Sequence, residues 1–173
     1  MTAKTIQQAG RTIRFTITGA AIPKDRVRHR IVTPKGKRPF VQVYTPKETT
    51  DYEQRVAKLA RRAWGEADPS LRPIELQVTV HVEIPSGWPK WKQEAATAGE
   101  ILPTGVPDLD NVVKAVSDAM NGVVYRDDGQ VSTIDAVKLY APAGAAGYVE
   151  VVVRENYRCG SWITRLLDLV LLR

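Results

Sequence analysis

One run near the middle of the chain restricts its fold more than any other. Ile74, Leu76, Val78, Val80, Val82 and Ile84 alternate with Glu75, Gln77, Thr79, His81 and Glu83. Strand side chains point to opposite faces with a period of two, so this run predicts a long β-strand with one buried face. A slip of one residue would turn two glutamates inward, which fixes the register. Such a strand needs a layer packed over its apolar face, which the rest of the chain must supply.

The remaining segments do so. Ile13, Phe15 and Ile17 alternate with Arg14, Thr16 and Thr18 as a first strand. Residues 20–38 are rich in Pro, Gly and basic side chains and read as an exposed loop or irregular hairpin, with Phe40–Tyr44 a second strand. Thr50 and Glu53 form a capping-box signature for a helix in which Tyr52, Val56, Leu59, Ala60, Ala63 and Trp64 share a face. Gly65 is its natural stop. A long connection, 85–107, holds Trp88 and Trp91 and has room for a short helix over Lys90–Ala98. A second main helix runs from about Leu109 to Asn121 on a Val112, Val116, Ala119 and Met120 stripe. Val131–Tyr140 and Tyr148–Val153 read as strands, and Ser161–Leu172 as a terminal helix. The expected fold is α+β, a single domain with a mixed β-sheet and helices packed on it. Residues 1–153 form that domain, and 154–173 a C-terminal extension on the domain or at a dimer interface.

Charge is distributed unevenly. Met1 to Arg72 holds 16 Lys or Arg against 6 Asp or Glu, and the remainder 9 against 13. A basic first half attracts a polyanion, and an acidic second half repels one unless cations intervene. The single cysteine, Cys159, and two distant histidines, His29 and His81, leave no cysteine zinc site. A metal would therefore be held mainly by oxygen, as magnesium or manganese is. The start lacks a signal-peptide stretch, and Trp162–Leu172 is short and broken by Arg165 and Asp168. The expectation is a cytoplasmic protein with no membrane span.

The chemistry-bearing segment is Asp108-Leu109-Asp110-Asn111, followed by Lys114, Asp118 and Asp127-Asp128. Asp108 fits a helix cap, and Asp110, Lys114 and Asp118 then share the polar helix face. Clustered carboxylates repel one another, and a divalent cation removes that cost. Asp108, Asp110 and Asp128 are candidate Mg2+ ligands (Mn2+ substituting), with Lys114 placed to neutralise charge at phosphorus. Each piece also has an ordinary reading: an Asp-x-Asp at a helix start caps it, Asp-Asp-Gly is a turn, and Lys114 pairs with Asp110 or Asp118.

The ordered set Pro107-Asp108-Leu109-Asp110-Asn111, Lys114-Ala115, Asp118-Ala119, Asn121-Gly122 and Asp127-Asp128-Gly129-Gln130-Val131 resembles the RusA family of Holliday-junction resolvases, common in phages and prophages. Upstream, Pro23-Lys24-Asp25-Arg26-Val27-Arg28, Tyr44-Thr45-Pro46-Lys47 with Asp51-Tyr52-Glu53, and Ser86-Gly87-Trp88-Pro89-Lys90-Trp91-Lys92 are similar to family segments. The match spans about Ile13 to Val153. Thr104-Gly105-Val106 departs from it, being neutral where members often carry basic residues.

The resemblance implies a homodimeric endodeoxyribonuclease that binds a four-way junction and nicks two strands symmetrically with magnesium, in DNA recombination and repair. Its catalytic residues fall on Asp108, Asp110, Lys114 and Asp128, the third metal aspartate being Asp128 or Asp127. Two matched cuts on opposed strands also call for two sites related by a two-fold. Lys24, Arg26, Arg28, Arg30, Lys35, Lys37, Arg38, Lys90 and Lys92 are the expected DNA contacts, made to phosphates. Trp88 and Trp91 either stack on unpaired bases or anchor the long loop. The alternatives are a non-catalytic branched-DNA-binding protein and a metal nuclease of flaps or forks.

Overall fold

The computed structural model describes residues 10–24 and 28–156. Its elements run β1 (Thr12–Thr18), β2 (Arg28–Val32), β3 (Phe40–Tyr44), α1 (Lys47–Trp64), β4 (Ile74–Val82), α2 (Lys90–Thr97), α3 (Leu109–Met120), β5 (Val131–Tyr140) and β6 (Tyr148–Glu155). The expected terminal helix at 161–172 lies outside the described residues, as does Arg26. No described helix is long and apolar enough to cross a membrane.

β4 lies inside a four-stranded sheet ordered β1-β6-β4-β5, parallel to β5 and antiparallel to β6. Ile74, Leu76, Val78 and Val80 are buried, as their alternation requires. Burying each such side chain is worth roughly 1.5–3 kcal/mol, so a slipped register would forfeit on the order of 6–12 kcal/mol, comparable to a domain's whole net stability. Ile13 and Ile17 on β1 and Val149, Val151 and Val153 on β6 complete the buried face. Helices α1 and α3 pack on each other, α1 against β1 and α3 against β5. The opposite face is polar, with Glu75 bonded to Arg154 at 2.5 Å and His81 to Glu150 at 3.1 Å. The architecture is mixed α+β in one domain.

Three local expectations change. Helix α1 begins three residues before Thr50, after Pro46, and has no side-chain cap. The Thr50 amide already donates to the Pro46 carbonyl at 3.2 Å, so it needs no capping box. Glu53 is free of that duty and binds Lys24 instead. Residues 28–32 form a regular strand paired with β3, giving a two-stranded hairpin apart from the main sheet. Strand β6 continues two residues past Val153, because Ile74 and Thr12 still offer partners to Glu155 and Arg154.

Candidate active site

The helix α3 forms because its apolar positions recur at helical spacing; Val112, Val116 and Met120 are fully buried and Ala119 nearly so. That burial turns Asp110, Lys114 and Asp118 outward together. Asp108 occupies the N-cap position, yet its side chain makes no capping hydrogen bond. The ordinary cap reading thus fits the position of Asp108 but leaves its carboxylate uncommitted.

Strand β5 faces this side of α3. It is paired with β4 so that Ile134, Ala136 and Lys138 lie opposite Leu76, Val78 and Val80, on the helix-covered face. β5 is an edge strand, and α3 does not close over it. The gap is a pocket of about 840 Å³, lined on its apolar floor by Leu109, Val113, Val131, Ile134 and Ala136. Its polar lining comprises Asp108, Asp110, Lys114, Ser117, Asp118, Asp128 and Lys138.

Four predicted residues, Asp108, Asp110, Lys114 and Asp128, therefore meet at one pocket, although Asp128 comes from a separate turn. All four are exposed, and none of their side chains has a hydrogen bond or ion pair among the described residues. Asp127 is used differently. Its carboxylate accepts from the Gly129 amide at 2.8 Å and caps the 3-10 turn Asp128–Gln130, while Gln130 Oε1 accepts from the Asp127 amide at 2.9 Å. Gln130 Nε2 then donates to the carbonyls of Ser70 and Arg72. Asp127 and Gln130 hold the turn, and Asp128 is the member that reaches the pocket.

Tyr125 fastens that same segment to α3. It is fully buried, its hydroxyl donates to the Ser117 carbonyl at 2.7 Å, and the two hydroxyls lie 3.1 Å apart. Burial pushes its pKa up to about 12; nearby Asp128 and Asp118 add to the rise and the Ser117 bond opposes it. Lys138 joins the far rim, donating to the carbonyls of Gly105 at 2.5 Å and Pro107 at 3.0 Å. It braces the loop that leads into Asp108. Sequence reasoning passed over Ser117, Tyr125 and Lys138. Ser117 follows Lys114 at helical spacing and Lys138 follows Ile134 and Ala136 at strand spacing, whereas nothing local marks Tyr125.

The basic residues divide. Lys24 is not open to phosphate: it binds Glu53 and Asp118, the latter at 3.1 Å, and its amide donates to the Asn111 carbonyl at 2.9 Å. Burial pulls its pKa down, but the bonds and charges of Glu53 and Asp118 outweigh that and leave it raised. Lys24 ties the chain entering the hairpin to α1 and α3. Lys35, Lys37 and Arg38 lie exposed around the hairpin turn. Arg30 bonds Gln42 at 2.9 Å and lies 5.5 Å over the Tyr44 ring, while Arg28 is the first residue of β2. Lys90 is exposed at the start of α2, and Lys92 sits 3.8 Å over the Trp88 ring. Trp88 packs edge-on against Tyr140 as a loop anchor, whereas Trp91 is 66% exposed.

The donor set suits a hard cation. The pocket offers carboxylates, two lysines and a serine, with no histidine or cysteine among the described residues. Among the described residues no three His, Cys, Asp or Glu side chains converge on a ready-made metal cage. Magnesium does not require one, since it is commonly held by one or two carboxylates together with waters and substrate phosphates.

A family model described as endodeoxyribonuclease RusA matches residues 21–154, which includes every residue of this pocket. The chain belongs to the RusA family. It is also 33% identical over 145 residues to the uncharacterized protein YqaN of Bacillus subtilis (strain 168), covering 83% of this chain and 96% of that protein. The RusA match ends at Arg154, within β6, so both rims of the pocket fall inside the family domain and residues 155–173 outside it.

Proposed function

We propose that this protein is a homodimeric, magnesium-dependent endodeoxyribonuclease that resolves four-way DNA junctions by paired, symmetric nicks. The observation that carries the reading is the pocket between α3 and β5. A member of an endodeoxyribonuclease family there presents three carboxylates, Asp108, Asp110 and Asp128, and Lys114, none with a side-chain partner among the described residues.

Asp108, Asp110 and Asp128 would hold magnesium, which supplies Lewis-acid activation of water and relief of charge on the leaving oxygen. The chain's own groups do the rest. The α3 N-terminus and Lys114 offset the negative charge that a phosphate brings beside three carboxylates. Tyr125, Gln130 and Asp127 keep the Asp128 turn at the pocket, and Lys138 keeps the loop before Asp108 in place. Lys35, Lys37 and Arg38 on the hairpin turn, with Lys90 on α2, contact phosphates and set register without reading sequence.

Cleavage of a labelled four-way junction, with and without magnesium and beside a linear duplex, tests the reading. Paired magnesium-dependent nicks near the crossover, absent from the duplex and from Asp110→Asn, are expected. Tight junction binding with no cutting under any divalent ion would refute it.

A further inference from the structure

Contacts to phosphates hold duplex and branched DNA alike, so they do not explain how one would be told from the other. The faces of the bases do differ. In a duplex each base is covered by its neighbours, whereas at a branch point or in a single strand some faces are open. An aromatic side chain stacks on such a face whatever the sequence. Among the described tryptophans, Trp64 is buried in the core and Trp88 is half-buried against Tyr140, but Trp91 is 66% exposed. It lies in the first turn of α2 between Lys90 and Lys92, a turn without an acidic residue, and Glu94 follows one turn later. That turn is held in place. Gln93 Nε2 donates to the Trp88 carbonyl at 2.7 Å, the Trp88 ring packs on Tyr140, and Lys92 Nζ lies 3.8 Å over the same ring. An indole on a backbone already ordered loses less freedom on binding.

The route from the α3–β5 pocket to α2 is short. Lys138 on the pocket rim and Tyr140 project from the same face of β5, about 7 Å apart, and Trp88 packs edge-on against Tyr140 at 5.3 Å. A strand held at the pocket reaches α2 in about three to five nucleotides at roughly 3.4 Å each. A protein partner suits Trp91 less well, because a protein hot spot sits in a dry, well-packed surround, whereas lysines stand on either side of this indole. We infer that Trp91 stacks on an unpaired base beside the α3–β5 pocket, with Lys90 on the adjoining phosphate, and that this contact makes the protein prefer branched to linear DNA. The inference rests on the preceding reading for its substrate class. Its test needs neither a divalent ion nor cleavage, so the two fail separately.

The experiment is fluorescence titration of the full chain in EDTA with a short oligothymidylate, a blunt duplex and a four-way junction. The oligothymidylate is expected to quench wild-type emission, and Trp91→Ala should remove most of that quenching. Trp91→Ala should also weaken binding of the oligothymidylate and the junction by about 5- to 150-fold, the worth of one base on an aromatic ring, and of the duplex by less than about twofold. Trp91→Phe should keep most of the affinity and Trp91→Leu should not, which separates stacking from plain apolar contact. Lys90→Ala should weaken all three substrates alike. Both positions are exposed, so melting should not change in any of these variants. Equal losses on junction and duplex would overturn the inference, as would a Trp91→Leu protein that binds like Trp91→Phe, or a wild type that the oligothymidylate does not quench. So would normal DNA affinity in Trp91→Ala, and a loss of self-association by that variant in sedimentation velocity would then mark Trp91 as a protein contact. Single-strand binding that depends on Trp91, in a protein that never nicks a junction, would leave the inference standing and refute the preceding reading.

Discussion

Two buried tyrosines provide an internal control on what a hydroxyl contributes here. Tyr52 and Tyr125 are both essentially inaccessible, and burial raises the pKa of each to about 12. Their partners differ: the Tyr125 hydroxyl donates to the Ser117 carbonyl, whereas the Tyr52 hydroxyl has no hydrogen-bond partner among the described residues. Tyr125→Phe removes a bond and orphans a carbonyl near the end of α3, a loss of about 1–2 kcal/mol. For a domain of this size that corresponds to a melting point lower by about 3–6 °C. Tyr52→Phe removes only a desolvated, unsatisfied group and should leave the melting point unchanged or higher.

The same pair fixes the alkaline limb. A tyrosine whose folded pKa exceeds its unfolded value of about 10 contributes stability that is complete below pH 10 and is lost as pH rises toward 12. The shift of about two units makes each contribution about 2–3 kcal/mol. Chemical denaturation from pH 8 to 11.5 should therefore show wild-type stability falling above pH 10, and each single Phe variant falling less steeply. Equal destabilisation by the two substitutions at pH 8 would refute the reasoning, because it would mean that the Ser117 bond contributes nothing.

Other consequences concern the site directly. Asp110→Asn should retain junction binding within a few-fold while cleavage disappears, measured by gel shift and nicking on the same substrate. Asp127→Ala should lower the melting point by the equivalent of about 1 kcal/mol through loss of its cap, whereas Asp128→Ala should leave the melting point nearly unchanged and abolish cutting. Replacing Lys35, Lys37 and Arg38 together by Ala should flatten the dependence of log K on log salt by about 2–3 units without changing which structures are preferred. Lys24→Met should act on stability instead, by about 1 kcal/mol given its partial exposure, with little effect on that salt slope.

Local periodicity determined much of this protein. The alternation at 74–84 specified β4 and its buried face, and the helical stripes specified α1 and α3, because each follows from which side chains must leave water. The α3 stripe also settled that Asp110, Lys114 and Asp118 share an outward face. The start of α1 was not legible in this way: Thr50 and Glu53 have the spacing of a capping box, but Pro46 and the demand of Lys24 for a carboxylate lie outside that window. Nor could sequence separate Asp127 from Asp128, since adjacent aspartates in a turn are equivalent until Gln130 and Tyr125 fix its orientation.

Long-range placement was decided only by tertiary structure. Lys24 reads as one more basic loop residue until the fold sets Glu53 and Asp118 beside it, 29 and 94 positions away. The pocket itself exists because β5 is parallel to β4 at the sheet edge and α3 stops short of covering it. Strand order and edge position arise from pairing between segments distant in the chain, and no local pattern of side chains encodes them.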